Sequence, residues 1–342
     1  PAIDWLSEEL RWWDQWLKGQ ETGIMDEPEL RLYMQDHAEP ASYYAHRDGR
    51  WVTEPSWPSP NVERRPYALG ADGALAPEGE VVAEGWRSIA SPLSVGLAGG
   101  KWCSYARPGD QPVDQRRDDA GSLTFETAPL EAPLEIAGDA NLELSFSVDQ
   151  PVAQVAVRLV DVAPDGAATR VSYGLLNLTH RDSHETPEML VPGEVYTARV
   201  QCKHVAQTFR AGHRLRLAIS TSYFPIAWPA PNAATLSVDL SKTRLVLPVR
   251  PAVDQPEPRD LGTPRGAPPA AAVTEEPGVV DWEVRENLAN GGVRVTVTEG
   301  AGRTRLVDSG LGFAGHTQEV YGYTGNDWSS LYAEIVSDYA LS

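Results

Sequence analysis

The clearest structural pattern in the chain is VAVRLVDVAPDGAATRVSYGLLNL, residues 155–178. Apolar and polar residues alternate with a period of two on both sides of the segment from Pro164 to Gly166, whose composition is typical of a turn. Successive side chains of a strand face opposite sides, so the alternation gives each strand two distinct faces. Residues 155–163 and 168–178 are therefore predicted to form a hairpin of a mainly antiparallel sheet.

The same alternation recurs at regular spacing between Leu134 and Val249. Besides the hairpin, the predicted strands are 134–139, 141–148, 195–202, 213–220, 235–240 and 243–249. Many short strands separated by turn residues are typical of a sandwich or jelly roll. The sequence therefore predicts a mainly β protein whose centre is a jelly-roll β-sandwich of the galactose-binding-like type.

The strongest helical pattern is DWLSEELRWWDQWLKG, residues 4–19. Ser7 is the predicted N-cap, and Gly19 stands where a helix-terminating glycine belongs. The apolar face, at helical spacing, consists of Leu6, Leu10, Trp12, Trp13, Trp16 and Leu17. A face this rich in Trp must pack against a large apolar surface, and the rest of the sequence offers no obvious partner.

The chain divides into four predicted parts. They are a helical segment at 1–27, a sandwich with a long N-terminal wrap at 28–250, a Pro/Ala-rich linker at 251–278 and a small antiparallel β extension at 279–342. Within the wrap, strands are predicted at 28–36 and 67–69, and residues 70–122 are predicted to follow the surface as an ordered loop.

The β extension contains predicted strands at 279–287, 292–300, 303–310, 316–325 and 330–340. Asn290-Gly291 marks a tight hairpin between the first two strands. The last strand runs to Ser342, which is typical of an incomplete sheet.

The 342 residues carry a formal net charge of −19, which opposes binding to nucleic acid or anionic membranes, so neither partner is expected. Cys103 and Cys202 are too few for a disulfide scaffold or a zinc site, and two reduced thiols are favoured over one disulfide. No apolar run approaches the ~20 residues of a membrane-spanning helix. A cytoplasmic location is expected rather than secretion, although a chain that begins at Pro1 does not show whether a signal precedes it.

Motifs for catalysis and cofactor binding are absent from the sequence. The pentapeptide G-x-S-x-G of α/β-hydrolases does not occur, and neither does G-x-G-x-x-G. The nearest approach to a phosphate-binding loop is Gly99-Gly100-Lys101, but Val95 replaces its first glycine and Trp102 its Ser/Thr. No catalytic residue, cofactor or metal is therefore assigned.

Two polar clusters nevertheless have the composition of metal sites. The first is the run His180, Arg181, Asp182, Ser183, His184 and Glu185, which follows a strand. These side chains could bind a metal, but a solvated loop or a structural Arg–Asp pair is favoured over metal binding. The second is DQRRDD at 114–119, which lacks EF-hand spacing, so an Arg–carboxylate network that pins the loop is predicted.

Five aromatic residues suggest a surface for stacking sugars. They are Trp51, Trp57, Tyr223, Phe224 and Trp228. Packing at a domain boundary explains them at least as well.

Four separated segments, in this order, resemble the C-terminal part of the CocE/NonD serine hydrolases. They are RWWDQWLKG (11–19), DQRRDDAGSLTFETAPL (114–130), VRLVDVAPDGAATRVSYGLLNLTHR (157–181) and FRAGHRLRLAISTSYFPIAWPAP (209–231). That group includes cocaine esterase, α-amino-acid ester hydrolases and X-Pro dipeptidyl-peptidases. The resemblance covers about residues 3–250, and the tail is similar, more weakly, to the extra β region of the longer members.

The resemblance implies a division of labour between domains. In the family, an α/β-hydrolase domain carries the Ser, Asp and His of the triad and precedes the jelly roll, and the Trp-rich helix follows the catalytic His. The triad is therefore expected upstream of Pro1, in the same or a separate chain, and residues 4–19 are expected to pack on that domain. On this hypothesis the jelly roll supports the hydrolase and walls its substrate pocket.

A second hypothesis is a free-standing β-sandwich module that binds a glycan or a protein. The two hypotheses differ in the helix at 4–19, since a free-standing module would bury its Trp side chains whereas an orphaned domain would expose them. Homo-oligomerisation stays open under both hypotheses.

Overall fold

The computed structural model describes residues 2–104, 107–251, 253, 255 and 258–342. It is mainly β, and its longest helix is α1 (Trp5–Lys18). The carboxylate of Asp4 caps this helix by accepting hydrogen bonds from the amide and hydroxyl of Ser7, at 3.3 and 2.6 Å. Gly19 ends it with a φ of 66°, a conformation that glycine adopts freely. The helix is thus confirmed, but the predicted N-cap is wrong because Asp4 holds that position and Ser7 lies in the first turn.

The segment after α1 supplies strands to both sheets of the sandwich. After a 3₁₀ turn at Ile24–Asp26 come β1 (Leu30–Gln35), β2 (Gly49–Glu54), β3 (Glu63–Leu69), β4 (Leu75–Pro77), β5 (Trp86–Ile89), a short helix α2 (Arg116–Asp119) and β6 (Leu123–Glu126). The sequence predicts β1 and β3 and misses the other four strands, which are short or interrupted by Gly and Pro.

The sandwich strands that follow lie close to their predicted positions. They are β7 (Leu134–Gly138), β8 (Asn141–Val148), β9 (Gln154–Val162), β10 (Ala168–Asn177), β11 (Tyr196–Gln201), β12 (Val205–Phe209), β13 (Arg214–Ser220), β14 (Leu236–Asp239) and β15 (Arg244–Val249). All eight predicted strands are present, and β12 is additional. A 3₁₀ turn, Leu178–His180, follows β10.

Two sheets face each other across one core. The larger follows the order β2-β1-β12-β7-β15-β8-β14-β5, with β11 paired to β8 and β3 paired to β15 and β4, and the smaller follows the order β10-β9-β13-β6. Strands β9 and β10 form the predicted hairpin, with Val162 opposite Ala168. The core between the sheets includes Phe125, Phe146 and Phe209. The β-sandwich predicted from the sequence is therefore confirmed.

Residues 91–100 are largely buried, contrary to the prediction of a surface loop for 70–122. Val95 packs with Ala156 and Tyr223, on the face of β9 opposite to the main core. Because side chains on both faces of β9 are buried, its second face is covered by this segment.

The β extension forms a separate sheet. Its strands are β16 (Ala272–Glu276), β17 (Val279–Asn287), β18 (Gly292–Leu306), β19 (Gly312–Thr324) and β20 (Asp327–Leu341), in the order β16-β18-β19-β20 with β17 also paired to β18. Strand β16 lies inside the predicted linker, and β18 is continuous where the sequence predicts two strands. Val295 and Val297 of this sheet pack against Leu93 and Phe224 of the sandwich.

Candidate functional site

The apolar face of α1 is exposed to solvent. No residue between Trp5 and Lys18 is buried. Seven large apolar side chains of the helix are between 45% and 75% exposed, namely Trp5, Leu6, Leu10, Trp12, Trp13, Trp16 and Leu17. Soluble proteins rarely leave so contiguous an apolar patch uncovered unless it binds something. We call these seven side chains the α1 face.

The polar side of α1 holds the helix in place. Arg11 forms ion pairs with Glu8 at 3.0 Å and with Glu27 at 2.6 Å. Arg259 also pairs with both carboxylates, and Arg265 lies 2.6 Å from a carboxylate oxygen of Asp4. These contacts fasten α1 to the segments that precede β1 and follow β15, so the α1 face points away from the sandwich.

Glu27 is the centre of this attachment. Burial acts to raise the pKa of its carboxyl group, but the hydrogen bond from Arg11 and the charges of Arg31 and Arg259 outweigh burial and hold the pKa below its usual value. The ionised form of Glu27 is therefore the one that stabilises the docked helix.

The predicted Arg–carboxylate network at 114–119 is confirmed. Asp119 in α2 forms an ion pair with the fully buried Arg158 of β9, at 2.8 Å, and another with Arg216 of β13. Gln115 accepts a hydrogen bond from Arg158 at 3.1 Å. Burial raises the pKa of the neighbouring Asp118, although the charge of Arg158 opposes the shift. The motif joins α2 to the smaller sheet.

The cluster at 180–185 brings two histidines together. The Nδ1 atoms of His180 and His184 are 3.3 Å apart. Arg181 pairs with Asp182 at 3.1 Å and stacks over the ring of Tyr196. Within the described part of the chain, no third carboxylate, thiol or imidazole completes a metal-sized group there. The loop thus contains an Arg–Asp pair, one of the two alternatives to metal binding that the sequence leaves open.

The five aromatic residues proposed for sugar stacking do not form one surface. Tyr223 and Phe224 are completely buried. Trp51 contacts Tyr33, and Trp57 contacts His204. The structure therefore gives the aromatic residues several separate packing roles. Cys103 is exposed and Cys202 is buried, and both thiols are free.

Three residues far apart in the sequence form a buried polar cluster that no sequence motif predicts. His37 Nδ1 lies 2.8 Å from Asp161 Oδ2, and His213 Nδ1 lies 2.9 Å from Asp161 Oδ1. The hydrogen bond to Asp161 raises the pKa of His37 against the opposing effect of burial. Sequence spacing cannot reveal such a cluster, although Asp161 within the apolar strand β9 is an indication that a partner is needed.

None of the described helices has the length and apolar character that a membrane span requires.

Residues 22–262 match a family described as the X-Pro dipeptidyl-peptidase C-terminal non-catalytic domain. The chain is 28% identical over 273 residues to a putative serine esterase of Mycobacterium tuberculosis, covering 73% of this chain and 42% of the relative. It is 26% identical over 232 residues to the cocaine esterase of a Rhodococcus species, covering 62% and 37%. A putative Xaa-Pro dipeptidyl-peptidase of Bacillus anthracis is 22% identical over 248 residues, covering 71% and 37%. The chain thus spans less than half the length of these relatives.

Solved structures show the same fold. An aminopeptidase from a marine sediment thaumarchaeon aligns with a TM-score of 0.54 at 21% identity, over 70% of this chain and 43% of that one. A CocE/NonD family hydrolase from Staphylococcus aureus aligns with a TM-score of 0.54 at 16% identity, over 71% and 45%. In both, the similar region is less than half of a longer chain.

Proposed function

Because the chain belongs to the X-Pro dipeptidyl-peptidase C-terminal non-catalytic domain family, we propose that it supports a CocE/NonD-type serine hydrolase and docks the α/β-hydrolase domain through α1. The observation that carries this proposal is the α1 face. Its side chains are between 45% and 75% exposed, while ion pairs fix the opposite side of the helix. Burying each such side chain contributes roughly 1–2 kcal/mol, so a matching apolar surface would bind this face firmly.

The chemistry is assigned to the docked domain. There, a serine would attack an ester or X-Pro amide carbonyl, form an acyl-enzyme and release the acid when water attacks. The cocaine esterase and the putative Xaa-Pro dipeptidyl-peptidase are each more than twice as long as the region that matches this chain. They are therefore long enough to contain such a domain as well. The sandwich would then form one wall of the substrate pocket. This chain alone is expected to be inactive.

One test replaces two tryptophans of the α1 face, as Trp12→Ala with Trp16→Ala. We expect the wild-type chain to bind the dye ANS and to self-associate as its concentration rises, because the face is uncovered. The double variant should lose most of both signals. Trp102→Ala is the matched control, since Trp102 is equally exposed, at 55%, but lies away from α1. Equal signals from all three proteins would contradict the docking role.

The coding sequence before the codon for Pro1 supplies a second test. A continuous frame with G-x-S-x-G, and a histidine codon shortly before α1, is expected if both domains share one chain. The longer product should hydrolyse p-nitrophenyl acetate, and the Trp12/Trp16 substitutions should reduce that activity. Heat-labile hydrolysis by residues 1–342 alone would refute the assignment of the chemistry to another domain.

The alternative of a free-standing binding module predicts a monomer that binds glycans. It is weakened by the burial of Tyr223 and Phe224, which removes two of the five rings from any sugar-stacking surface. Specific glycan binding by a monomer that does not bind ANS would favour it.

A further inference from the structure

Three elements of the sandwich bring His37, Asp161 and His213 together. His37 follows β1 of the larger sheet, Asp161 lies in β9 of the smaller sheet, and His213 directly precedes β13. Their side chains are 6%, 1% and 8% exposed. The two imidazole rings are 4.6 Å apart and inclined at 73° to each other. Both Nδ1 atoms point at the carboxylate of Asp161.

Asp161 differs from other buried carboxylates of this protein in the partners it has. Asp119 pairs with the buried Arg158, and Glu54 pairs with the buried Arg250 at 2.5 Å. Within the described residues, Asp161 forms no ion pair with any arginine or lysine and faces two imidazoles instead. Two histidines and one carboxylate are a common ligand set for divalent transition metals.

We propose that His37, Asp161 and His213 form a buried binding site for a divalent transition metal ion of the zinc class. The ligand atoms lie within 4.8 Å of one another. Zinc bonds of ~2.0–2.1 Å in a tetrahedral shell separate neighbouring ligands by about 3.3 Å. The Nδ1–oxygen distances of 2.8 and 2.9 Å, one to each oxygen of Asp161, need to grow by a few tenths of an ångström, and ligand atoms up to 4.8 Å apart need to close to about 3.3 Å. A water molecule is the natural fourth ligand.

The second nitrogen of His37 has the environment that a metal ligand needs. Its Nε2 lies 3.4 Å from a carboxylate oxygen of Glu39. Histidines that bind a metal through one nitrogen usually donate the other N–H to a carboxylate, which fixes the ring and its tautomer. When Nδ1 binds the ion, the proton stays on Nε2, and this N–H donates a hydrogen bond to the carboxylate of Glu39.

The test uses the full chain after treatment with a chelator. Calorimetric titration with ZnCl₂ is expected to show one ion per chain, and CoCl₂ is expected to give the visible absorption of a tetrahedral complex. His37→Gln and His213→Gln should each weaken zinc binding by at least about 100-fold, and Glu39→Gln by about 10–100-fold. Glu39 is 69% exposed, so its variant should fold even if the two histidine variants do not.

His180→Gln with His184→Gln is the matched control, because this histidine pair is exposed and lacks a third ligand among the described residues. It should leave the affinity unchanged. Three outcomes would overturn the proposal: no uptake of ZnCl₂ by the wild-type chain, undiminished uptake by Glu39→Gln, or uptake that depends on the exposed pair. If the wild-type chain takes up no zinc, the cluster serves only as a hydrogen-bonded contact between the two sheets.

Discussion

Arg158 shows how this protein buries a charge beneath the segment that covers the second face of β9. The guanidinium has no exposed surface and lies 2.8 Å from Asp119, and it donates hydrogen bonds to Gln115 and Ser122 at 3.1 and 2.9 Å. Removing two charges from water is costly, and their attraction offsets that cost only with good geometry and further hydrogen bonds. The hydrogen bonds to Gln115 and Ser122 meet the second of these conditions.

Asp119→Asn should therefore destabilise the fold by about 3–5 kcal/mol, because it removes the carboxylate that forms the ion pair with the buried Arg158. Urea denaturation followed by circular dichroism measures this change. Asp182→Asn is the matched control, since Asp182 pairs with Arg181 but is 73% exposed, and it should cost no more than about 1 kcal/mol. Similar losses in both variants would show that Arg158 does not depend on Asp119.

At the residue scale, the sequence shows where charged side chains cluster but not which distant residues they contact. The charges of 114–119 predict an arginine–carboxylate network, but nothing local identifies Arg158 as the partner. The His37–Asp161–His213 cluster is the extreme case, because its members come from three parts of the chain. Such groups meet only when the sheets pack.

At the scale of elements, α1 combines a local signal with a tertiary attachment. Periodicity alone predicts the helix, and its end at Gly19 is confirmed. Its orientation depends on Glu27, which binds Arg11 at 2.6 Å and Arg259 at 3.1 Å. The attachment is therefore electrostatic, and it is sensitive to pH.

Since the folded-state pKa of Glu27 lies below its usual value of 4.5, its contribution is fully present above pH 4.5 and is lost as the pH falls through the lowered pKa. We expect α1 to detach in this acid range, and tryptophan fluorescence should report the change. In Glu27→Gln the attachment should already be weak at neutral pH, and the acid transition should be smaller. Glu9→Gln, on the exposed side of the same helix, should behave like wild type. An unchanged acid transition in Glu27→Gln would contradict this account.

At the scale of the whole molecule, the β extension has two different halves. Near the sandwich, Val295 is fully buried against the cluster that contains Leu93 and Phe224. Farther along the same sheet, Val336 is 47% exposed and Tyr339 is 78% exposed. One half of the sheet is thus part of a shared core, and the other half projects from it.

Val295→Ala should cost about 2 kcal/mol because it leaves a cavity in this shared core. Val336→Ala should change stability by less than about 0.5 kcal/mol, since it removes little buried surface. Urea denaturation of the two variants measures the difference. Equal effects would show that the extension does not pack on the sandwich through Val295.

The strands of the sandwich follow from the sequence alone, because alternation with a period of two is a local property that 155–178 displays on both sides of its turn. The sequence also determined α1 and the character of its face. Strands β2 (GRWVTE) and β12 (VAQTF) escaped prediction because each contains adjacent apolar residues and no regular alternation with a period of two. The burial of 91–100 escaped it too, because Gly- and Pro-rich composition resembles a surface loop until the second face of β9 is seen to need cover.

Only the tertiary structure decided which way α1 points and which polar groups meet. The helical pattern predicts that one face of α1 is apolar. The ion pairs of Glu27 and Asp4 hold the helix with that face outward. The pairing of Arg158 with Asp119, and the convergence of His37 and His213 on Asp161, likewise depend on contacts between residues far apart in the chain. Such contacts form when segments far apart in the chain pack together, and local periodicity carries no information about them.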